Sequence, residues 1–545
     1  MIQSRARSGW ADLLDVTIEQ GGDRSLFQQI YLSIRDAIVS ERLAANSRLP
    51  STRELARRLK VSRTSVLSAY EQLLAEGYVS GRPGSGTYVC DVLPAPMTPD
   101  ASIVRGSDTP EPRRPALSEA GQRYTRFAAA AAASSNVPFA TGCCSIDPVS
   151  IETWRRTARR VGLSGPGAFA YTDPIGEPAL RQQIAQYLGA ARAVNCEADQ
   201  IVVLAGAQQA IDISIRTLID PGDAVWVEDP GYLATREALA AAGCRIVPVP
   251  VDEQGLDVRA GIAAAPSARA VYITPSHQYP TGSVMSMQRR MELLAWATET
   301  GAWVIEDDYD SEFRYVGRPL AALQGLDRGG CVIYVGTFSK VLFPGLRLGF
   351  AVLPLDLVDA FRGARFLIDR HPPFFQQAMI ADFMKNGFLS SHLRRLRQHY
   401  RAARDVLVDA VRRHMGDLVD VEVPECGMQL AIHFRDPVSD VAVAAAARRR
   451  GVTARAVSPH YIDATPRQGL LLGYSGFDAH RLRSAVIELA GAVREVQASG
   501  LGQNSVPEGT VRDIGKPSTG PAGVTAASRP AHAASPAGTS IDPLR

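Results

Sequence analysis

The stretch "GTFSKVLFPGLRLG", Gly336 to Gly349, sets one lysine inside an apolar run. Thr337 and Ser339 precede Lys340, and the run ends on Arg347. Most lysines lie on solvated surfaces. This one is flanked by "VIYVGTF" and "VLFPG", which suit a partly desolvated pocket. Burial lowers an amine's pKa and favours the nucleophilic form that Schiff-base chemistry needs.

Short β-branched runs recur around this stretch, at 201–204, 224–229, 245–251, 270–275, 303–308, 331–338 and 348–353. Helix-like segments such as "QQAIDISIRTLI" and "MQRRMELLAWATETG" separate most of them. The alternation predicts an α/β fold with a mostly parallel sheet. Ligands of such sheets bind beyond the carboxyl ends of strands. Lys340 follows one predicted strand and Asp307 ends another, so both fall where this fold places its chemistry.

A lysine so placed points to pyridoxal 5'-phosphate, which needs further groups. Asp307, in "EDDYDSEFRY", suits the pyridinium nitrogen, and Tyr309 suits the phenolic oxygen. Gly206, Ala207 and Gln208, in "LAGAQQAIDI", form an anion site at a helix N-terminus. Thr337, Ser339 and Arg347 frame the lysine and complete a phosphate cradle. Tyr232, in "EDPGY", suits stacking on the ring.

At 545 residues, the chain is long enough for two to four domains. It is 46% hydrophobic and 21% charged, an ordinary globular balance. No window reads as a membrane span or a secretory signal, so a cytosolic protein is expected. Seven scattered cysteines show no ligand-like spacing and read as reduced thiols, with no metal site. A net charge of +3 is too small to imply a nucleic-acid partner, but its distribution is informative. Residues 21–90 hold ten Lys/Arg against six Asp/Glu. Residues 91–135, rich in Pro, Ser, Asp and Ala, read as a flexible linker. The long patterned block spans 136–495, and 496–545 reads as a disordered tail.

In the N-terminal block, Phe27, Ile30, Tyr31, Ile34 and Ile38 share one helical face. "LPSTRELARRLKVSRTSVLSAYEQLLAEGYV" predicts two helices with a tight connection. Ser51 and Glu54 suit a capping box, and Ser62 caps the second helix. That second helix is expected to bury Val66, Ala69, Tyr70, Leu73 and Leu74. Its first turn presents Ser62, Arg63, Thr64 and Ser65, the positions that meet bases and phosphates in a helix-turn-helix. "GYVSGRPGSGTYV" predicts a β-hairpin with Arg82 near its tip.

The "LPSTREL" turn, the "VSRTSV" helix start and the Arg-Gly wing closely resemble the winged helix-turn-helix of the GntR family of bacterial regulators. That resemblance implies DNA contacts at Arg53, Ser62, Arg63 and Thr64, and at the wing from Arg82 to Gly84. The order Gly206–Gln208, Tyr232, "PTG" at 280–282, Asp307/Tyr309 and Lys340/Arg347 closely resembles the class I aminotransferase fold over residues 136–495. "YTDPIGEPALRQQIAQYL" (171–188) resembles its opening helix region. There the resemblance implies a dimer in which Tyr171 reaches the cofactor phosphate of the partner subunit.

The fusion, with "TPSHQYPTG", "IEDDYDSEFRY" and "GTFSKVLFPGLRLGF", resembles the MocR subfamily, which includes GabR, PdxR and TauR. The expected architecture is therefore multi-domain. A winged helix-turn-helix (α+β) at 21–90 precedes an α/β domain of the PLP-dependent transferase type I fold. The resemblance implies a cytoplasmic, bacterial transcriptional regulator, on the nucleoid when bound to a double-stranded operator. It also implies a head-to-tail homodimer and an internal aldimine on Lys340 that senses an amine effector or pyridoxal phosphate itself. Pyridoxal phosphate, γ-aminobutyrate, taurine and other amines all remain open as the effector.

Two positions depart from the catalytic pattern. Tyr279 stands where aminotransferases carry Asn before "PTG", leaving Tyr309, His277 or Gln278 to serve the phenolic oxygen. "GLLLGYSGF" (469–477) lacks the arginine that clamps a substrate carboxylate, and neither Arg455 nor Arg467 can be placed from sequence. Losing that clamp removes positioning as well as charge. It weighs against the competing reading, an active aminotransferase with an appended DNA-binding domain. Asp307, Lys340 and Arg347 weigh against a degenerate fold without cofactor.

Overall fold

The computed structural model describes residues 24–82, 85–91, 115–125, 127–128, 136–162, 168–317 and 320–499. They fall into two compact units, divided after Pro115. Expectations for Gly84 and for nearly all of the tail lie outside the described residues.

The first unit holds α1 (Leu26–Val39), α2 (Thr52–Leu59) and α3 (Arg63–Ala75), then strands β1 (Val79–Arg82) and β2 (Gly86–Val89). Ile30, Ile34 and Ile38 of α1 pack on Val66, Ala69 and Leu73 of α3 in one core. Ser51 accepts from the Glu54 amide, the cap half of the expected box. Ser62 likewise accepts from the Ser65 amide. Leu74 departs from expectation: it is 51% exposed. It stands one position, about 100° of helix, past the face defined by Val66, Ala69, Tyr70 and Leu73.

In the second unit, β3 (Ile201–Leu204), β4 (Ala224–Asp229), β5 (Arg245–Asp252), β6 (Gly255–Leu256), β7 (Ala270–Ile273), β8 (Trp303–Asp308), β9 (Val332–Thr337) and β10 (Gly349–Val352) form one sheet. Its order is β3-β10-β9-β8-β7-β4-β5-β6. The pairs from β9 through β5 are parallel. β10 runs antiparallel to both β3 and β9. Every residue of β3, β4, β7, β9 and β10 is buried, as expected where helices cover both faces of a sheet. Trp226 of β4 stacks on Trp296 of the helix Met287–Thr300, with ring centroids 3.8 Å apart.

A second sheet was not anticipated from the sequence. β11 (Val419–Val421), β12 (Gln429–Phe434), β13 (Arg455–Ala456) and β14 (Gly469–Gly473) pair antiparallel in the order β11-β12-β14-β13. Within the segment expected to be a linker, Glu119–Thr125 is helical. Its Arg123 reaches Glu237 of the helix Leu233–Ala241 at 3.9 Å. The final helix, Ala479–Ala498, runs past residue 496, where the tail was expected to begin. Among the described residues, no helix is long and apolar enough to cross a membrane.

Candidate functional site

In the first unit, Arg53, Ser62, Arg63, Thr64 and Arg82 are all exposed. Ser62, Arg63 and Thr64 lie at the start of α3, where unpaired amides face outward. Arg63 Nε sits 3.4 Å from Thr52 Oγ1, which tethers it to the preceding helix. Arg82 stacks over the Tyr88 ring at 4.6 Å and donates to Asn46 Oδ1 at 3.4 Å. The wing arginine is thus braced by Tyr88 of its own hairpin and by Asn46 of the segment before α2. Arg57 and Arg58 of α2 are also exposed, close in sequence to Arg53.

In the second unit a cavity of about 280 Å³ opens at the carboxyl ends of the parallel strands. The turn after β3 contributes Gly206, Ala207 and Gln208, and that after β4 contributes Tyr232. Thr274 and Tyr279 follow β7, Asp307 and Tyr309 close β8, and Thr337, Ser339 and Lys340 close β9. Arg347 enters from the amino end of antiparallel β10. All the expected cofactor residues except Tyr171 therefore line one space. Tyr171 is 85% exposed, its ring edge-on to His371.

Local geometry explains several of these placements. Gly206 has φ +111° and ends β3 directly before the helix Ala207–Leu218. A Cβ there would lie 3.8 Å from the Arg347 guanidinium, so bare backbone and one cation face the same point. Thr337 caps the short helix Phe338–Val341 by accepting from the Ser339 amide at 3.1 Å. Its oxygen is thereby engaged, whereas Ser339 Oγ is buried with no protein partner.

Asp307 is buried at 6% exposure. Its Oδ2 accepts from the Tyr272 hydroxyl at 2.7 Å, and its Oδ1 is buried with no partner. Burial raises its pKa to about 7, against the lowering effects of Tyr272 and Lys340. Directly behind it, Arg192 pairs with buried Asp308 at 2.8 Å and donates to Ser276 Oγ at 2.8 Å. Tyr334 donates to the same carboxylate at 2.6 Å. This network fastens the helix Pro178–Arg192 to the end of β8 and fixes the strand that carries Asp307.

The residues present fit pyridoxal 5'-phosphate. A lone buried carboxylate oxygen suits a protonated ring nitrogen. The Ser339 hydroxyl, the amides after Gly206 and the Arg347 guanidinium suit a phosphate.

Sequence reasoning missed Gly142 and Asp310, and named His277 and Arg455 without placing them. Gly142 lines the cavity at φ +80°, its carbonyl 3.5 Å from Lys340 Nζ. A Cβ there would lie 2.1 Å from that nitrogen. His277 and Asp310 form a buried pair at 2.8 Å behind Tyr309. Arg455 of β13 also lines the cavity and donates to the Tyr279 hydroxyl at 3.1 Å. It is exposed, opening onto this cavity. A cation thus lines this cavity from β13, outside the stretch "GLLLGYSGF", and Arg467 is not among the lining residues.

Residues 26–89 match the family described as bacterial regulatory proteins, gntR family. Residues 137–499 match aminotransferase class I and II. The probable rhizopine catabolism regulatory protein MocR of Rhizobium meliloti is 37% identical over 486 residues, covering 89% of this chain and 97% of that protein. The chain belongs to the MocR subfamily of GntR-family transcriptional regulators. A second relative of this regulator is the pyridoxine biosynthesis transcriptional regulator PdxR of Corynebacterium glutamicum. It is 30% identical, over 88% of this chain and 98% of that one. The multiple substrate aminotransferase of Thermococcus profundus superposes with a TM-score of 0.63 at 27% identity. That likeness covers 70% of the regulator and 98% of the enzyme.

Proposed function

We propose that this DNA-binding regulator holds pyridoxal 5'-phosphate on Lys340 and reads a small molecule bearing both an amine and a carboxylate. One observation carries the reading: Lys340, the unpartnered Asp307 Oδ1 and Arg455 face the same cavity. The chemistry the cofactor supplies is an electrophilic carbon for which Lys340 and a free amine compete. Asp307 holds the proton on the ring nitrogen, while Ser339, Arg347 and the amides after Gly206 seat the phosphate. Arg455 gives an effector carboxylate a charge-assisted partner, with Tyr279 beside it.

Occupancy of the cavity then shifts the balance between two dimer conformations that differ in operator affinity, which requires that the effector bind them unequally. Exposed Tyr171 is available to a partner subunit in a head-to-tail homodimer. Arg53, Ser62, Arg63, Thr64 and Arg82 contact the operator.

Arg455 also favours a second reading, residual aminotransferase turnover, because a cation that could take a substrate carboxylate lines the cavity. The test combines absorbance and DNA binding. Protein loaded with pyridoxal phosphate shows a lysine-bound band near the edge of the visible range, and Lys340→Ala lacks it. Amino acids alter operator affinity in the wild type. In Arg455→Ala that response weakens about tenfold to a hundredfold, whereas amines without a carboxylate are unaffected. No band in the wild type overturns the reading. Steady multiple turnover with an amino donor and a keto acid favours the enzyme.

A further inference from the structure

Tyr309 is held by two groups that its expected role does not require. His277 Nδ1 lies 3.1 Å from the Tyr309 hydroxyl, and the two rings stack with centroids 5.8 Å apart. The same Nδ1 lies 2.8 Å from Asp310 Oδ1. His277 and Asp310 are both buried. One ring nitrogen thus serves two neighbours, and their chemistry decides where each proton sits.

An ionised carboxylate only accepts hydrogen bonds. Asp310 therefore requires the proton on Nδ1, whether the imidazole is neutral or cationic. A protonated Nδ1 cannot accept from Tyr309, so the phenol oxygen can meet it only as an acceptor. The phenol's own proton is left to point elsewhere, and Tyr309 lines the cavity. The geometry points to His277 and Asp310 as positioning residues that aim the Tyr309 O–H into the cavity, as a donor to an anionic oxygen of the bound cofactor. The inference rests on the cofactor reading above.

The surroundings keep the pair in register. A Cβ on Gly427, at φ +91°, would lie 2.2 Å from His277 Cε1 and 3.0 Å from Asp310 Oδ2. The turn before β12 thus presses its bare backbone against both side chains. Besides Tyr309 and Asp310, the charged groups acting on the imidazole are Asp308 and Arg314. Cys426, in the turn before Gly427, acts on Tyr309, and its own thiol is raised by burial and by Asp310. Burial pulls the imidazole's pKa down and Asp310 more than offsets it, leaving it raised.

The test is a pH titration of the lysine-bound cofactor's absorbance in full-length protein. A donor to the anionic oxygen stabilises the charged form, so its loss moves the midpoint upward. Tyr309→Phe is expected to raise the midpoint by about one pH unit. Asp310→Asn and His277→Leu raise it comparably. His277→Asn, which restores an N–H near the Nδ1 position, returns it toward the wild type. On the Tyr309→Phe background, Asp310→Asn adds nothing, because both act through one hydroxyl. An unchanged midpoint in Asp310→Asn, or an equal shift on both backgrounds, overturns the inference and leaves cofactor binding intact. If Asp310→Asn fails to fold, the His277→Leu and His277→Asn pair decides: equal midpoints in the two overturn it. Absence of the band in the wild type removes the cofactor reading itself and this inference with it.

Discussion

Replacing Asp307 by Asn separates what this carboxylate does for cofactor binding from what it costs the fold. Its pKa rises from an ordinary 3.8 to about 7, chiefly through burial. At about 1.4 kcal/mol per unit, holding the ionised group costs the empty protein about 4 kcal/mol. Between about pH 4 and pH 7 the folded chain keeps a proton that the unfolded chain has released. Stability therefore falls as pH rises through that window and is flat above it. The Asp307→Asn variant escapes this cost. The new side chain's oxygen still accepts from Tyr272, but its amide N–H takes the unpartnered place of Oδ1, at about 1–3 kcal/mol. The empty variant should match the wild type near pH 5 and exceed it by about 2 kcal/mol at pH 8. Unfolding entropy of about 2 cal/mol/K per residue, over several hundred residues, turns that gain into roughly 2–3 °C. Glu228 and Glu306, both also raised to about 7, are common to the two proteins and largely cancel in the difference. Added pyridoxal phosphate should raise the wild-type melting temperature and raise the variant's much less, since the ring nitrogen has lost its anion. Thermal melts at pH 5, 6, 7 and 8, with and without cofactor, measure both. A stability gap that ignores pH, or a variant less stable than wild type at pH 8, would refute the reasoning.

Arg192→Ala leaves Asp308 charged and buried beneath the site; denaturant unfolding should show a loss of about 3–5 kcal/mol, partly recovered by adding Asp308→Asn. Gly142→Ala places a methyl 2.1 Å from the present position of Lys340 Nζ, in a backbone conformation that disfavours alanine. Its lysine-bound absorbance band should be lost or much reduced while operator binding by the empty protein persists. Arg63→Ala should relax base preference at one operator position by about 1–3 kcal/mol, read from binding to a set of mutated operators. Ser62→Ala removes the cap of α3 and should destabilise the first unit by about 1 kcal/mol in a thermal melt.

How far the site could be read from the sequence follows from how local each signal is. Lys340, Asp307 and Gly206 end or follow strands whose β-branched runs are unmistakable, and an α/β sheet brings such ends together without further information. The Ser62 cap is similarly local, because Ser62 and Ser65 lie within one turn. Leu74 was misjudged because apolarity alone does not say how wide a buried stripe is; the packing of α1 against α3 sets its edge. Arg455 left no such trace. It stands on a two-residue strand, too short for any alternation, and reaches the cavity only because β13 pairs with β14. Gly142 was equally silent, and His277 was named without its pairing to Asp310, since both meanings depend on chain segments far apart in sequence. The cofactor half of the pocket is thus written in strand ends of the large sheet. The part of the cavity lined by Arg455 and Gln429 comes from the small antiparallel sheet. If effector choice is varied among such regulators, the changes should concentrate around Arg455, Gln429 and Met428, leaving Lys340, Asp307 and Gly206 untouched.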